Sequence, residues 1–159
     1  MKNYDVIIVG AGPAGIFTAI ELLRKSPDKR VLMVDMGTSI DKRTCPARKL
    51  GRCVHCNPCN IMSGWAGAGA FSDGKLSLSE EVGGNLVDYM SHKEAQELIK
   101  YADSIYTEFG APGKVHGLDD PKVGEIMYDA SRYNIQLIPC PVRHMCTELS
   151  LIVLENMYK

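Results

Sequence analysis

The sequence predicts an α/β fold in which a parallel sheet carries flanking helices, and three observations predict it. Tyr4-Asp5-Val6-Ile7-Ile8-Val9 is a short apolar run, β-branched at most positions, of the kind that forms a fully buried parallel strand. It leads directly into Gly10-Ala11-Gly12-Pro13-Ala14-Gly15, a G-x-G-x-x-G turn, after which Ile16, Ala19, Ile20 and Leu23 recur at the spacing of one helix face. A second apolar run, Val31-Leu32-Met33-Val34, ends on Asp35, about 20 positions past the last glycine. Residues 1–35 therefore read as a complete strand–turn–helix–strand unit.

The residue types in that unit suit a dinucleotide. Gly10 permits the tight turn, Gly12 lets the backbone approach a pyrophosphate, and Gly15 lets the helix lie close against the strand. The free amides and positive end of the helix then face the phosphates. Asp35, at the carboxyl end of the second strand, accepts hydrogen bonds from the adenosine ribose hydroxyls. The expected architecture is a Rossmann-like domain.

Composition narrows the function classes. The chain has 159 residues, enough for one domain with its own core. A formal net charge of −1 implies no general attraction to nucleic acid or to an anionic membrane, so neither is an expected partner. No run approaches the ~18 consecutive apolar residues of a membrane span. The first strand begins too early for a signal peptide, which makes the cytoplasm the expected compartment. Six cysteines in that setting point to free, redox-active or metal-bound thiols rather than a disulfide framework.

Residues 36–84 show little periodicity but are rich in Gly, Pro, Ser, Asn and Cys, which predicts an ordered insertion with short helical turns. Its first part is basic, with Lys42, Arg43, Arg48, Lys49 and Arg52; a solvated charge run competes with the reading that Arg43 or a neighbour meets the ribose or pyrophosphate. Cys53-Val54-His55-Cys56-Asn57-Pro58-Cys59 follows, with Cys45 upstream and Cys140 far downstream. Cys53, Cys56 and Cys59 are candidate ligands of an iron–sulfur centre or of zinc, although Ser63 stands where a ferredoxin loop carries its fourth cysteine. A thiol–disulfide role and plain reduced packing are the other readings. The stretch from Met62 to Leu76 then places four glycines within Gly64–Gly74, beside Ser63, Ser72, Asp73 and Lys75. Such a backbone can lie flush against a flat ligand. Gly67, Gly69, Ser72 and Asp73 are the candidate contacts.

Residues 85–159 read as a helical segment with a further strand. Ser91-His92-Lys93-Glu94 is a capping box, opening a helix whose Ala95, Leu98, Ile99, Ala102, Ile105, Tyr106 and Phe109 share a face and which Gly110 and Pro112 end. Gly113–Asp119 is turn-rich. Asp120-Pro121 starts the next helix, predicted to bury Val123, Ile126, Met127, Ala130 and Tyr133. Ile135-Gln136-Leu137-Ile138 is predicted as a strand ending at Pro139, so that Arg143 and His144 fall on a ligand-facing loop. Thr147 is the expected cap of a last helix, with Leu149, Ile152, Val153 and Met157 left to cover a surface.

These residues assembled, the chain resembles a known group. Asp5 through Gly15 with Val31 through Asp35 looks like the FAD-binding start of the glutathione-reductase-like flavoproteins, in which Pro13 and Ala14 between the glycines are more typical of FAD than of NAD. Cys53 through Leu76 resembles a bacterial and archaeal group of FAD-dependent dehydrogenases, and the likeness extends through Phe109–Pro112 to Pro141–His144. The resemblance implies an FAD/NAD(P)-binding domain, incomplete here and corresponding to an N-terminal portion, with a long Cys/Gly-rich insertion after the second strand. It implies FAD as cofactor, NAD(P)H as a candidate electron donor, and a small-molecule substrate or electron acceptor. A missing C-terminal half, or another chain supplying it, is a further implied partner. Where family members continue Gly-Thr-Asp after the Arg-His, this chain reads Met145-Cys146-Thr147. No residue is assigned as catalytic acid or base. The alternatives carried forward are a thiazole-synthase-like enzyme holding an adenylated product and a metal-binding electron-transfer module at the cysteines.

Overall fold

The computed structural model describes residues 3–117 and 120–159. It divides the chain into two compact units: one comprises residues 1–72 and 154–159, the other residues 73–153.

The first unit is built on β1 (Val6–Val9), α1 (Pro13–Lys25) and β2 (Val31–Val34), with β1 and β2 paired in parallel and Val6 opposite Val31. The expected strand–turn–helix–strand order is present. The expected burial is not: among the described residues these two strands pair only with each other, and Ile7 and Val9 are exposed. One face is covered by α1, whose Ile16 is buried, and the other face is open. The insertion is ordered as short helical turns, at Ile40–Lys42, α2 (Ala47–Leu50) and Gly67–Phe71. Trp65, from this insertion, donates its indole N–H to the Leu154 carbonyl at 2.8 Å and meets Tyr158 edge-to-face at 5.1 Å. Ala66, Ala70, Leu154 and Met157 are buried in the same unit.

The second unit holds an antiparallel sheet in the order β3 (Lys75–Ser77), β5 (Val142–His144), β4 (Val115–His116). Leu76 and Val115 both pair with Arg143. The sheet of the chain is therefore not one parallel sheet, and the fold shared by both units is mixed α/β with small sheets. Helix α3 (His92–Glu108) carries the predicted capping box: Ser91 Oγ accepts from the Glu94 amide and the Glu94 carboxylate accepts from the Ser91 amide at 2.9 Å. Ala95 and Ile105 are its buried residues. The last helix, α5 (Cys146–Tyr158), buries Ser150 and Val153 in this unit and leaves Ile152 exposed; from Leu154 on its residues belong to the first unit.

Three expectations differ from the structure. Helix α4 (Pro121–Ser131), capped by Asp120, buries none of its residues, and Ile126, Met127 and Tyr133 are exposed. Residues 135–138 form no strand. Asn134 takes a left-handed conformation, its amide donates to Ser131 O and the Ile135 amide returns to Ala130 O, so this segment ends α4 as a Schellman cap. Thr147 lies inside α5, which begins at Cys146. Of the turn predicted at Gly113–Asp119, Leu118 and Asp119 lie outside the described residues.

Candidate functional site

Three backbone segments meet in the first unit. The turn after β1 is fixed at Gly10, whose φ of +103° an L side chain rarely adopts and whose amide donates to the Val34 carbonyl at 2.7 Å. A Cβ on Gly15 would overlap the Gly10 carbonyl oxygen, so a glycine is required for α1 to start this close to β1. A Cβ on Gly10 or Gly12 would meet nothing within 4 Å, which leaves open space against the turn. Gly12 is the N-cap of α1 and Pro13 its first residue. The amides of the first helical turn have no intrahelical partner.

Asp35 joins the segments. Its Oδ2 accepts from the Ala11 amide at 2.8 Å; its Oδ1 accepts from Gly37 at 2.8 Å and from Gly64 at 2.7 Å. The Ala66 amide donates to the Ala11 carbonyl at 2.7 Å. Gly67 lies so near that a Cβ on it would stand 3.5 Å from Gly12 Cα. The Ala11 amide above all, then those of Gly37 and Gly64 with the Arg43 charge, holds the Asp35 carboxyl below the usual carboxylate range. A carboxylate offers about four lone-pair positions. Three amides occupy three of them, so about one remains available.

Arg43 is 3% exposed, and its guanidinium faces main-chain carbonyls of the insertion: Nε donates to Asn60 O at 2.9 Å, Nη1 to Trp65 O at 2.6 Å and Nη2 to Ile61 O at 2.5 Å. It also stacks over Phe71, 4.7 Å from the ring centroid. Burial works against its charge, and Asp35 and Cys59 partly offset that. Where the sequence reading has Arg43 at the ribose or pyrophosphate, its donors instead hold the loop containing Gly64 and Trp65.

Among the other expected contacts, Gly67 lies against the turn, and Gly69 borders open space. Ser72 Oγ donates to the Gly69 carbonyl at 2.9 Å. Asp73 belongs to the second unit, where its carboxylate pairs with Lys75 at 2.8 Å and its carbonyl oxygen lies 3.1 Å from His144 Nε2. Arg143 is no loop residue: it sits buried in β5, bidentate to Asp103 of α3 at 2.5 and 2.6 Å, with Pro112 O as a third partner. Nothing in local spacing announces that pair, whose members are 40 positions apart.

Cys53 and Cys59 are exposed and Cys56 half-buried; all three are free thiols. Among the described residues no three His, Cys, Asp or Glu side chains are grouped as metal ligands. The Cys59 thiol is held below its ordinary pKa by the Ile61 amide, then by that of Met62 and the Arg43 charge. Among the described residues, no helix is long and apolar enough to cross a membrane.

No known protein family matches the chain, and no solved structure matches it. A stretch of 95 residues is 42% identical to an uncharacterised protein of Clostridium beijerinckii. That stretch is 59% of this chain and 16% of the relative, so the chain spans well under a fifth of the relative's length.

Proposed function

We propose that this chain binds FAD along the Gly10–Gly15 turn of a Rossmann-like domain and forms the nucleotide-binding part of a flavin-dependent oxidoreductase. One observation carries the reading: residues far apart in sequence are linked around open space at Gly10 and Gly12, the Ala11 and Gly64 amides donating to the Asp35 carboxylate and the Ala66 amide to the Ala11 carbonyl. In this reading Gly12 admits the pyrophosphate, the first-turn amides of α1 hold its charge, and Asp35 offers its remaining lone pair to a ribose hydroxyl. Gly67 and Gly69 leave room for a flat ring system. Bound FAD supplies the hydride or electron transfer, while the protein binds and orients it.

The test is an absorbance spectrum, from about 300 to 700 nm, of anaerobically purified protein before and after addition of FAD. Oxidised-flavin bands that bleach on reduction are expected. A folded, colourless protein that takes up no FAD refutes the reading. If that protein releases an adenylated compound on denaturation, the thiazole-synthase-like alternative replaces it; a broad brown shoulder assigns a cluster to the cysteines.

A further inference from the structure

The second unit holds a cavity of about 240 Å3 between α3 and its antiparallel sheet. Ile99 of α3, Leu78 just past β3, Val115 of β4 and Pro141 just before β5 give it an aliphatic lining, and all four are half-buried. Polar links brace it on both sides of Ile99. Gln96 Nε2 donates to Glu80 Oε1 at 2.8 Å, and Asp103 accepts from Arg143 with both of its oxygens. The Leu78 amide donates to the Pro141 carbonyl at 2.8 Å, so the sheet side is tied as well. The volume lies below the roughly 300–1,000 Å3 of drug-sized sites and suits a smaller occupant.

Two opposite charges on the lining are not spent on each other. The Glu80 side chain is 11% exposed, and both Gln96 and His92, the latter at 3.5 Å, meet its Oε1. A carboxylate offers about four lone-pair positions, so Glu80 can still accept from an ammonium group. Asp103 is already neutralised by Arg143. Lys100 also lines the cavity, and no carboxylate among the described residues pairs with it. It follows Gln96 by four residues, so the two are neighbours on one face of α3. A carboxylate and an ammonium group therefore border one aliphatic space about a helical turn apart.

We propose that this cavity binds a free aliphatic α-amino acid, with its ammonium group on Glu80, its carboxylate on Lys100 and its side chain against Leu78, Ile99, Val115 and Pro141. A simple anion is opposed by Glu80 and a simple cation by Lys100, whereas a zwitterion complements both. The cavity lies wholly in the second unit, so its test needs no nucleotide.

The experiment titrates L-leucine into the full chain by calorimetry and follows amide exchange along residues 96–103. Binding with a Kd below about 1 mM and slowed exchange in that segment are expected. Isocaproate, which lacks the ammonium group, and isopentylamine, which lacks the carboxylate, are expected to bind about tenfold more weakly or worse. Lys100 is exposed, so Lys100→Gln leaves the fold intact. That variant is expected to bind leucine about tenfold more weakly and isopentylamine no more weakly than the unaltered chain does. Ile126→Lys, on an exposed apolar position of α4, leaves leucine binding unchanged. An absence of leucine binding, equal binding of leucine and both analogues, or undiminished leucine binding by Lys100→Gln overturns the proposal.

Discussion

Replacing Asp35 with Asn separates the carboxylate's charge and second oxygen from its size. The carboxylate receives three amides, one on Oδ2 and two on Oδ1. If the Asn oxygen keeps Gly37 and Gly64, its NH2 group faces the Ala11 N–H, donor against donor. A net hydrogen bond contributes about 1 kcal/mol, so Asp35→Asn is expected to cost about 1–2 kcal/mol and Asp35→Ala, which loses all three, about 3 kcal/mol. The two units need not unfold together, so a single melting midpoint is a poor readout. Native-state amide exchange reads each bond locally, about tenfold faster for each 1.4 kcal/mol lost. Asp35→Asn is therefore expected to speed exchange at Ala11 about tenfold. Unchanged rates at Ala11, Gly37 and Gly64 in both variants would refute the role given to Asp35.

The same residue fixes a pH dependence. Its carboxyl is held below the usual range in the folded state, chiefly by the Ala11 amide. A lowered folded-state value means the stabilisation is fully present above the unfolded carboxylate pKa of about 3.9 and is lost as pH falls through the folded value. The stability difference between wild type and Asp35→Asn should thus be constant near neutrality and shrink below about pH 4. A difference independent of pH in that window contradicts the assignment.

Two further pairs of outcomes test the rest of the site. Gly15→Ala, whose Cβ overlaps the Gly10 carbonyl, is expected to destabilise the first unit by about 2 kcal/mol or more, whereas Gly12→Ala, in open space at an N-cap, costs under about 1 kcal/mol and, on the proposed reading, weakens FAD binding; equal amide-exchange rates along α1 in the two variants contradict this. Arg43→Lys leaves at least one of three carbonyls without its donor and is expected to cost about 2–3 kcal/mol, with a red shift of Trp65, the single tryptophan, because Arg43 bonds the Trp65 carbonyl; an unshifted emission spectrum contradicts the contact.

What was legible in the sequence is what neighbours along the chain decide. The capping box at Ser91 and Glu94 and the Asp120 cap before the proline start of α4 satisfy their hydrogen bonds within a few residues, and both stand where the spacing puts them, as does the glycine turn before α1. What was not legible depends on partners the local pattern cannot name. The apolar stripe of α4 marks a face but supplies nothing to cover it, and Ile126 and Met127 remain exposed. The run at residues 135–138 has the composition of a strand, yet the hydrogen bonds of Asn134 and Ile135 go back into the end of α4. Arg143 looks like a ligand-facing residue until Asp103 is brought beside it from 40 positions away.

Arg43 and Asp35 show why residue type alone misassigns roles in a loop-built site. Both are charged, and both sit where a nucleotide reading wants charge. The guanidinium is nearly inaccessible, with all three nitrogens donating to the Asn60, Ile61 and Trp65 carbonyls, so its role is to hold that loop in place. The carboxylate has an unused lone pair after accepting three amides, so it can do both tasks at once. A ribose hydroxyl that takes this last position adds a partner to the group that already joins the turn after β1 to the end of β2 and to Gly64. In the FAD-binding reading proposed above, ligand binding and loop order are then linked through one side chain. On that reading added FAD slows exchange at the Gly64 amide as well as at the N-terminus of α1, and unchanged exchange at Gly64 on FAD binding contradicts it.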